Sequence, residues 1–276
     1  YDEEVRLVLS PPRPLHQSQH ELLLQEVGNY LVVGGMPESV KAFCETNDFE
    51  ACYKAQRRIK AELCALNFGA EGPAWAVEAV LRICAQRPGE KFDFDDFATE
   101  VSPALVQSTL DHLQLAGVVQ KVRAVPNEGP VTRRVKAFKT VLMDVGMLRV
   151  LAGAGHPAVA APTADKFSAL SGLCDQFVGQ EMLHTQKEPL LFWASSARGS
   201  LSQVDYMIQI DEKKWPVAVE QIDMAQVQQS MDICLGSHTS CPHGVIFSDR
   251  PYFASSQGSK IVQCPYYYAH VLGAGK

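Results

Sequence analysis

Apolar positions along the first third of the chain recur with a helical period. Glu21-Leu22-Leu23-Leu24-Gln25-Glu26-Val27, continued through Tyr30-Leu31-Val32-Val33, predicts a helix that stops at Gly34-Gly35-Met36-Pro37. Pro37 suits the first turn of a second helix over Glu38-Ser39-Val40-Lys41-Ala42-Phe43. A third helix fits Ala51 to Leu66, where apolar residues recur among Arg57, Arg58, Lys60 and Glu62, and Asn67-Phe68-Gly69 closes it. Residues 1–70 therefore form a helical segment.

Residues 71–155 carry the order helix, helix, helix, strand, strand. Ala76 to Ile83 is amphipathic and Arg87-Pro88-Gly89 ends it; Phe94 to Ala98 is a short second helix. The third has Ser102 as N-cap, Pro103 in its first turn, and Val106, Thr109, Leu110 and Leu113 on one face, and Gly117 terminates it. Val118 to Val125 and Val131 to Leu142 then alternate as a hairpin around Pro126-Asn127-Glu128-Gly129-Pro130. Three helices and a hairpin predict a winged helix, with a generic α+β linker domain as the alternative.

Residues 156–276 read as α/β. A helix covers Ser168 to His184. Strands follow at Leu190 to Trp193, Gln203 to Ile210 and Trp215 to Glu220, the last two joined by a turn at Asp211-Glu212-Lys213-Lys214. A helix through Gln226 to Cys234 and a strand Gly244 to Phe247 complete a pattern that predicts a mixed sheet. The fold class expected is thus α+β with several domains.

Composition bounds the function. With 46% hydrophobic and 20% charged residues the 276-residue chain is ordinary for a globular protein, and no apolar run approaches the roughly 20 residues that span a bilayer. No membrane contact is expected, and the acidic start Tyr1-Asp2-Glu3-Glu4 lacks a signal peptide's apolar stretch. A start at Tyr1 rather than Met reads as that of a fragment. The net charge of -6 argues against indiscriminate coating of nucleic acid. The 8 cysteines include no CxxC and no zinc-ligand spacing, which fits reduced structural thiols in the cytoplasm.

Little of the chain carries chemistry. A phosphate-cradling loop ends in Lys-Ser/Thr at a helix start. Gly34-Gly35 is followed by Met36-Pro37, and Gly273-Ala274-Gly275-Lys276 has no following hydroxyl residue. No ATP site of the P-loop type is expected. Asp205 lies near the start of one strand and Glu220 ends the next, an arrangement that brings two carboxylates together for a divalent metal or leaves them as polar strand ends. Between residues 121 and 139 the cations Lys121, Arg123, Arg133, Arg134, Lys136 and Lys139 face a single acid, Glu128. That suits phosphate contact through the wing, or a solvated hairpin. The helix from Ser102 to Val118 has no Lys or Arg and carries Asp111 outward, unlike a helix that enters a major groove.

Tyr30-Leu31-Val32-Val33-Gly34-Gly35-Met36-Pro37-Glu38, preceded by His20, resembles the Tyr-Leu-x-x-Gly-Gly-Met-Pro-Glu signature of bacterial predicted AAA+-type ATPases. Lys139 with Asp144-Val145-Gly146-Met147-Leu148 is similar to that family's Lys…Asp-x-Gly-Leu-Leu element, and Phe177 to Met182 with Val204 to Ile208 to its terminal domain of uncharacterised function. The resemblance implies the region after the P-loop domain: a helical lid remnant over 1–70, a winged helix over 71–155 and a restriction-endonuclease-like domain of the PD-(D/E)XK type over 156–276. It implies a metal site from Asp205, the second strand and a helix acid, Asp175 or Glu181. Where relatives read Pro-Ile-Glu-Val-Lys, this chain reads Pro216-Val217-Ala218-Val219-Glu220. A ligand has become Ala218 and the lysine has become Glu220, so the nuclease-like site is expected to be degenerate, with Asp205 and Glu220 holding a metal weakly at best. The expectation is a non-catalytic module that contacts nucleic acid or a protein partner and carries no cofactor. The alternative is a nuclease using Mg or Mn on DNA or RNA.

Overall fold

The computed structural model describes residues 14–65, 73–97, 100–125, 137–153, 170–195, 202–210, 212–220, 223–254 and 260–272. The chain forms two compact units, Gly28–Lys121 with Lys136–Ala161 (the helical unit) and Tyr1–Val27, Val122–Val135 and Pro162–Lys276 (the sheet unit). Together they make an α+β protein with a mixed sheet.

The helical unit takes the last turns of α1 (Gln17–Val33) and then α2 (Pro37–Thr46) and α3 (Phe49–Ala65). Pro37 stands in the first turn of α2, where its missing N–H costs nothing, and Asn47 ends the helix in the left-handed region at φ 51°. Next come α4 (Ala74–Gln86), a 3-10 turn at Phe94–Phe97, α5 (Pro103–Leu115), the start of β1 (Val119–Ala124), β2 (Phe138–Leu142) and α6 (Val145–Leu151). The predicted order of helix, short helix, helix and two strands is present. Ser102 occupies the N-cap of α5 with extended backbone, but its side chain makes no capping bond. Val106, Leu110 and Leu113 are fully buried, as their spacing requires, and each contributes about 2 kcal/mol of apolar burial. Thr109 is buried in the same row, and its hydroxyl has no hydrogen-bond partner among the described residues. The boundary expected at residue 70 falls inside this unit, where α3 packs against α4.

The sheet unit contains α7 (Ser171–Thr185), β3 (Leu191–Ala194), β4 (Gln203–Ile210), β5 (Lys213–Val219), α8 (Met224–Ser237), β6 (Gly244–Ser248), β7 (Phe253–Ala254) and β8 (Ile261–Pro265), and ends in a 3-10 helix at Tyr266–Val271. β3, β4 and β5 run antiparallel in succession; α8 then crosses over so that β6 lies parallel to β5, with β8 parallel to β6. The hairpin turn is tighter than the sequence indicates. Lys213 already pairs with Ile210 across the hairpin, and Glu212 stands in the left-handed region at φ 64°. α8 buries Val227, Met231, Cys234 and Leu235 against Val204, Met207, Ala218 and Ile246.

Candidate functional site

The expected metal site depends on where β4 and β5 put their acids. Leu191 pairs with Met207 and Trp193 with Val204, so Asp205 and Tyr206 together stand opposite the single residue Phe192. This two-against-one arrangement is a β-bulge. Val204 and Met207, three apart, both reach the apolar cluster under α8, as the bulge demands of a strand that otherwise alternates.

Each carboxylate of the set is then occupied. Asp205, 4% exposed, accepts the Val219 N–H at 2.9 Å, so it stands in for a strand partner at the end of the β4–β5 ladder. Asp175 of α7 is buried and accepts a hydrogen bond from the Tyr206 hydroxyl, which also donates to the Asp175 carbonyl oxygen. Burial first, and then the Asp175 charge, holds the Tyr206 hydroxyl in its neutral, donating form. Glu220 is buried, pairs with Arg250 at 3.2 Å and shares a hydrogen bond with the Asp249 carboxyl group. Burial raises the pKa of both Glu220 and Asp249, and the Asp249 charge raises Glu220 further. Two carboxyl groups so joined favour uptake of a proton more than either would alone.

Ala218, the position of the lost ligand, faces the apolar cluster with Val227 and Met231. Glu181 sits elsewhere on α7. Burial raises its pKa, and the charges acting to lower it are His184 and His270 rather than any partner of Asp205. The structure thus gathers Asp175, Asp205 and Glu220 near the bulge and leaves Glu181 out. Among the described residues no three His, Cys, Asp or Glu side chains are grouped to hold a metal ion. The residues present do not fit a divalent cation: one ligand position is apolar, and the remaining oxygens bind a backbone amide, a phenol and a second carboxyl group.

Asp249 and Tyr267 have a role that sequence reading missed. His20 of α1 places Nε2 at 2.9 Å from the Asp249 carbonyl oxygen and Nδ1 at 2.9 Å from the Tyr267 hydroxyl. A carbonyl only accepts, so Nε2 carries a proton. The His20 that precedes the Gly-Gly motif is therefore a buried anchor of the sheet unit.

The wing cations fare differently from one another. Lys121 is 9% exposed and pairs with Asp111 of α5, and Lys139 is 1% exposed. Neither is a surface cation, so their place in the basic patch is corrected: Lys121 is buried next to buried Val122, and every residue of the strand that holds Lys139 is buried. Arg123 is exposed. Arg133, Arg134 and Lys136 lie outside the described residues, as do Gly273–Lys276.

The Gly-Gly motif and the Asp144 element meet in the helical unit, 109 residues apart. Gly35 N–H donates to Asp144 Oδ2 at 2.6 Å, and Met147 N–H donates to Oδ1 at 3.1 Å as Asp144 caps α6. Gly34 has φ +70°, and a Cβ there would lie 2.2 Å from Asp144 Oδ1; a Cβ on Gly146 would lie 2.8 Å from the Gly34 backbone. Gln56 Nε2 completes the clasp by donating to the Val32 and Val33 carbonyls at 2.9 and 3.1 Å. Both glycines are required by this close approach, and Asp144 by the amides it satisfies.

The family model of a domain of unknown function, DUF8612, matches residues 24–158, a span close to that of the helical unit. No curated protein and no solved structure matches the chain.

Proposed function

We propose that the chain is a non-catalytic contact module, the region that follows the nucleotide-binding domain of an AAA+-type ATPase, whose nuclease-like unit has lost its metal chemistry. One observation carries the reading: the three acids near the bulge are engaged internally, Asp205 by the Val219 amide, Asp175 by Tyr206, and Glu220 by Asp249 and Arg250. The helix–three strands–helix–strand order of α7, β3 to β5, α8 and β6 supports the nuclease-like descent. The same order, with Asp205 kept, favours the rival reading of a metal-dependent nuclease on DNA or RNA. That reading needs a second carboxylate where Ala218 packs into the core and a cation where Glu220 stands. On the winged-helix reading of α4, α5, β1 and β2, the Lys121–Asp111 pair and the absence of Lys and Arg from α5 favour a structural wing over a base-reading one.

The test is incubation of the purified chain with labelled single- and double-stranded DNA and RNA in magnesium or manganese. No cleavage is expected. Turnover that Asp205→Asn abolishes would establish the nuclease.

A further inference from the structure

Ion pairing in the helical unit does not engage every described cation. Lys41, Arg58, Lys60, Arg82, Arg87 and Lys121 each hold a carboxylate within 4.0 Å. Lys54 and Arg57 of α3 and Arg149 of α6 have no such partner among the described residues. Lys54 and Arg57 are exposed and one turn apart, on the same side of α3.

Arg149 is the informative one. The other six residues of α6 (Val145–Leu151) are buried, and Arg149 alone reaches the surface. α6 lies on α3 with Gly146 against Gln56, and Arg149, one turn on, comes beside Tyr53, one turn before Gln56. Burial lowers the pKa of its guanidinium, and Tyr53 offsets this in part. A half-desolvated guanidinium beside a phenol ring and without a carboxylate is stabilised by an anion brought from outside. Glu50 and Glu62 flank the patch along α3 and limit its extent.

We propose that Lys54, Arg57 and Arg149, with Tyr53 beside them, bind the phosphodiester backbone of a nucleic acid. The proposal rests on the reading of the chain as a non-catalytic contact module, and moves the contact from the wing to the α3–α6 face. Two guanidinium forks suit phosphate oxygens. Lys54 and Arg57 stand about 4.5 Å apart along the helix axis, close to the roughly 3.4 Å advance per nucleotide of one strand. An aromatic ring among cations is the pattern by which single strands are held without base readout. An acidic polypeptide offers carboxylates but nothing for the ring.

The experiment is fluorescence anisotropy of the full chain with labelled single-stranded and duplex oligonucleotides across a salt series, with labelled polyglutamate as the acidic-polypeptide probe. Single-stranded binding is expected at low salt. Lys54→Glu with Arg57→Glu should lower affinity at least about tenfold and reduce the salt slope by about two, and Arg149→Met should reduce it by about one. The exposed double variant keeps the fold, so the result does not depend on how α6 tolerates Arg149→Met. Unchanged affinity and slope in the double variant would overturn the proposal. So would the absence of oligonucleotide binding by the unaltered chain, or polyglutamate binding of equal strength. Cleavage of the probe in the same samples would instead sink the non-catalytic reading and leave the binding face standing.

Discussion

Asp144→Ala is the substitution whose cost the structure defines best. The carboxylate is 2% exposed and accepts from the amides of Gly35, Met147 and Gly146. Removing it strands three buried donors and uncaps α6. A bond to a charged acceptor is worth about 1.5–3 kcal/mol, and an N-cap loss alone costs about 1 kcal/mol. Water entering the vacated space recovers part of this, so the expected loss is about 4 kcal/mol, a large share of the roughly 5–15 kcal/mol that holds a domain folded. Asp144→Asn keeps one acceptor and should lose about half as much. Gly34→Ala should rival Asp144→Ala, because the new methyl meets Asp144 Oδ1 at 2.2 Å on a backbone already at φ +70°. Urea unfolding followed by far-UV circular dichroism gives the free energies, with the transition of the helical unit moving first. A loss below about 1 kcal/mol for Asp144→Ala would refute the clasp as the element that ties α1, α2 and α6 together.

Glu220→Gln tests the carboxyl pair. Folding raises the pKa of both Glu220 and Asp249 above their ordinary values of 4.5 and 3.8, so the folded state binds more protons and stability falls as pH rises through that range and above it. The variant keeps the hydrogen bond to Asp249 without a second charge, and its slope of melting temperature against pH should be shallower than that of the unaltered chain above pH 4.5; parallel slopes would refute the coupling of the two carboxyl groups. Ala218→Glu places a carboxylate in the apolar cluster under α8 and should cost more than about 3 kcal/mol without producing nuclease activity. Near-normal stability in urea would mean that the position opens toward Asp205 after all. Thr109→Val replaces an unpartnered buried hydroxyl with a methyl group and should stabilise by roughly 1 kcal/mol; a loss measured in urea would reveal a partner for Thr109.

Much of the helical architecture is legible from local signals. Pro37 and Pro103 mark helix starts, Gly117 ends α5 at φ 72°, and the Val106, Leu110, Leu113 row is the buried face that its spacing implies. The order of α7, β3, β4, β5, α8 and β6 also follows from periodicity to within a few residues. What escapes the sequence is non-local. The bulge at Asp205–Tyr206 is invisible because alternation presumes one residue opposite one, and the register that breaks this rule is set by β3. Glu220 meets Asp249, and Gly35 meets Asp144, across sequence separations of 29 and 109 residues that no window spans. Lys121 and Lys139 count as wing cations in a charge tally, yet both are buried, in strands whose burial does not alternate at these positions. The short α6 hides inside the Asp144-Val145-Gly146-Met147-Leu148 element, where an apolar run of a few residues fits strand and helix alike.

Manganese binding tests the central claim most directly, that the acids near the bulge serve the fold rather than a metal. Titration of the full chain with Mn(II), followed by the electron paramagnetic resonance signal of the free ion, counts sites independently of any substrate. The account predicts that the free-ion signal rises with the first additions as it does in buffer, and that Asp205→Asn leaves the titration unchanged. Stoichiometric loss of the signal that Asp205→Asn abolishes would contradict it, because Asp205 would then be a ligand rather than the acceptor of the Val219 amide.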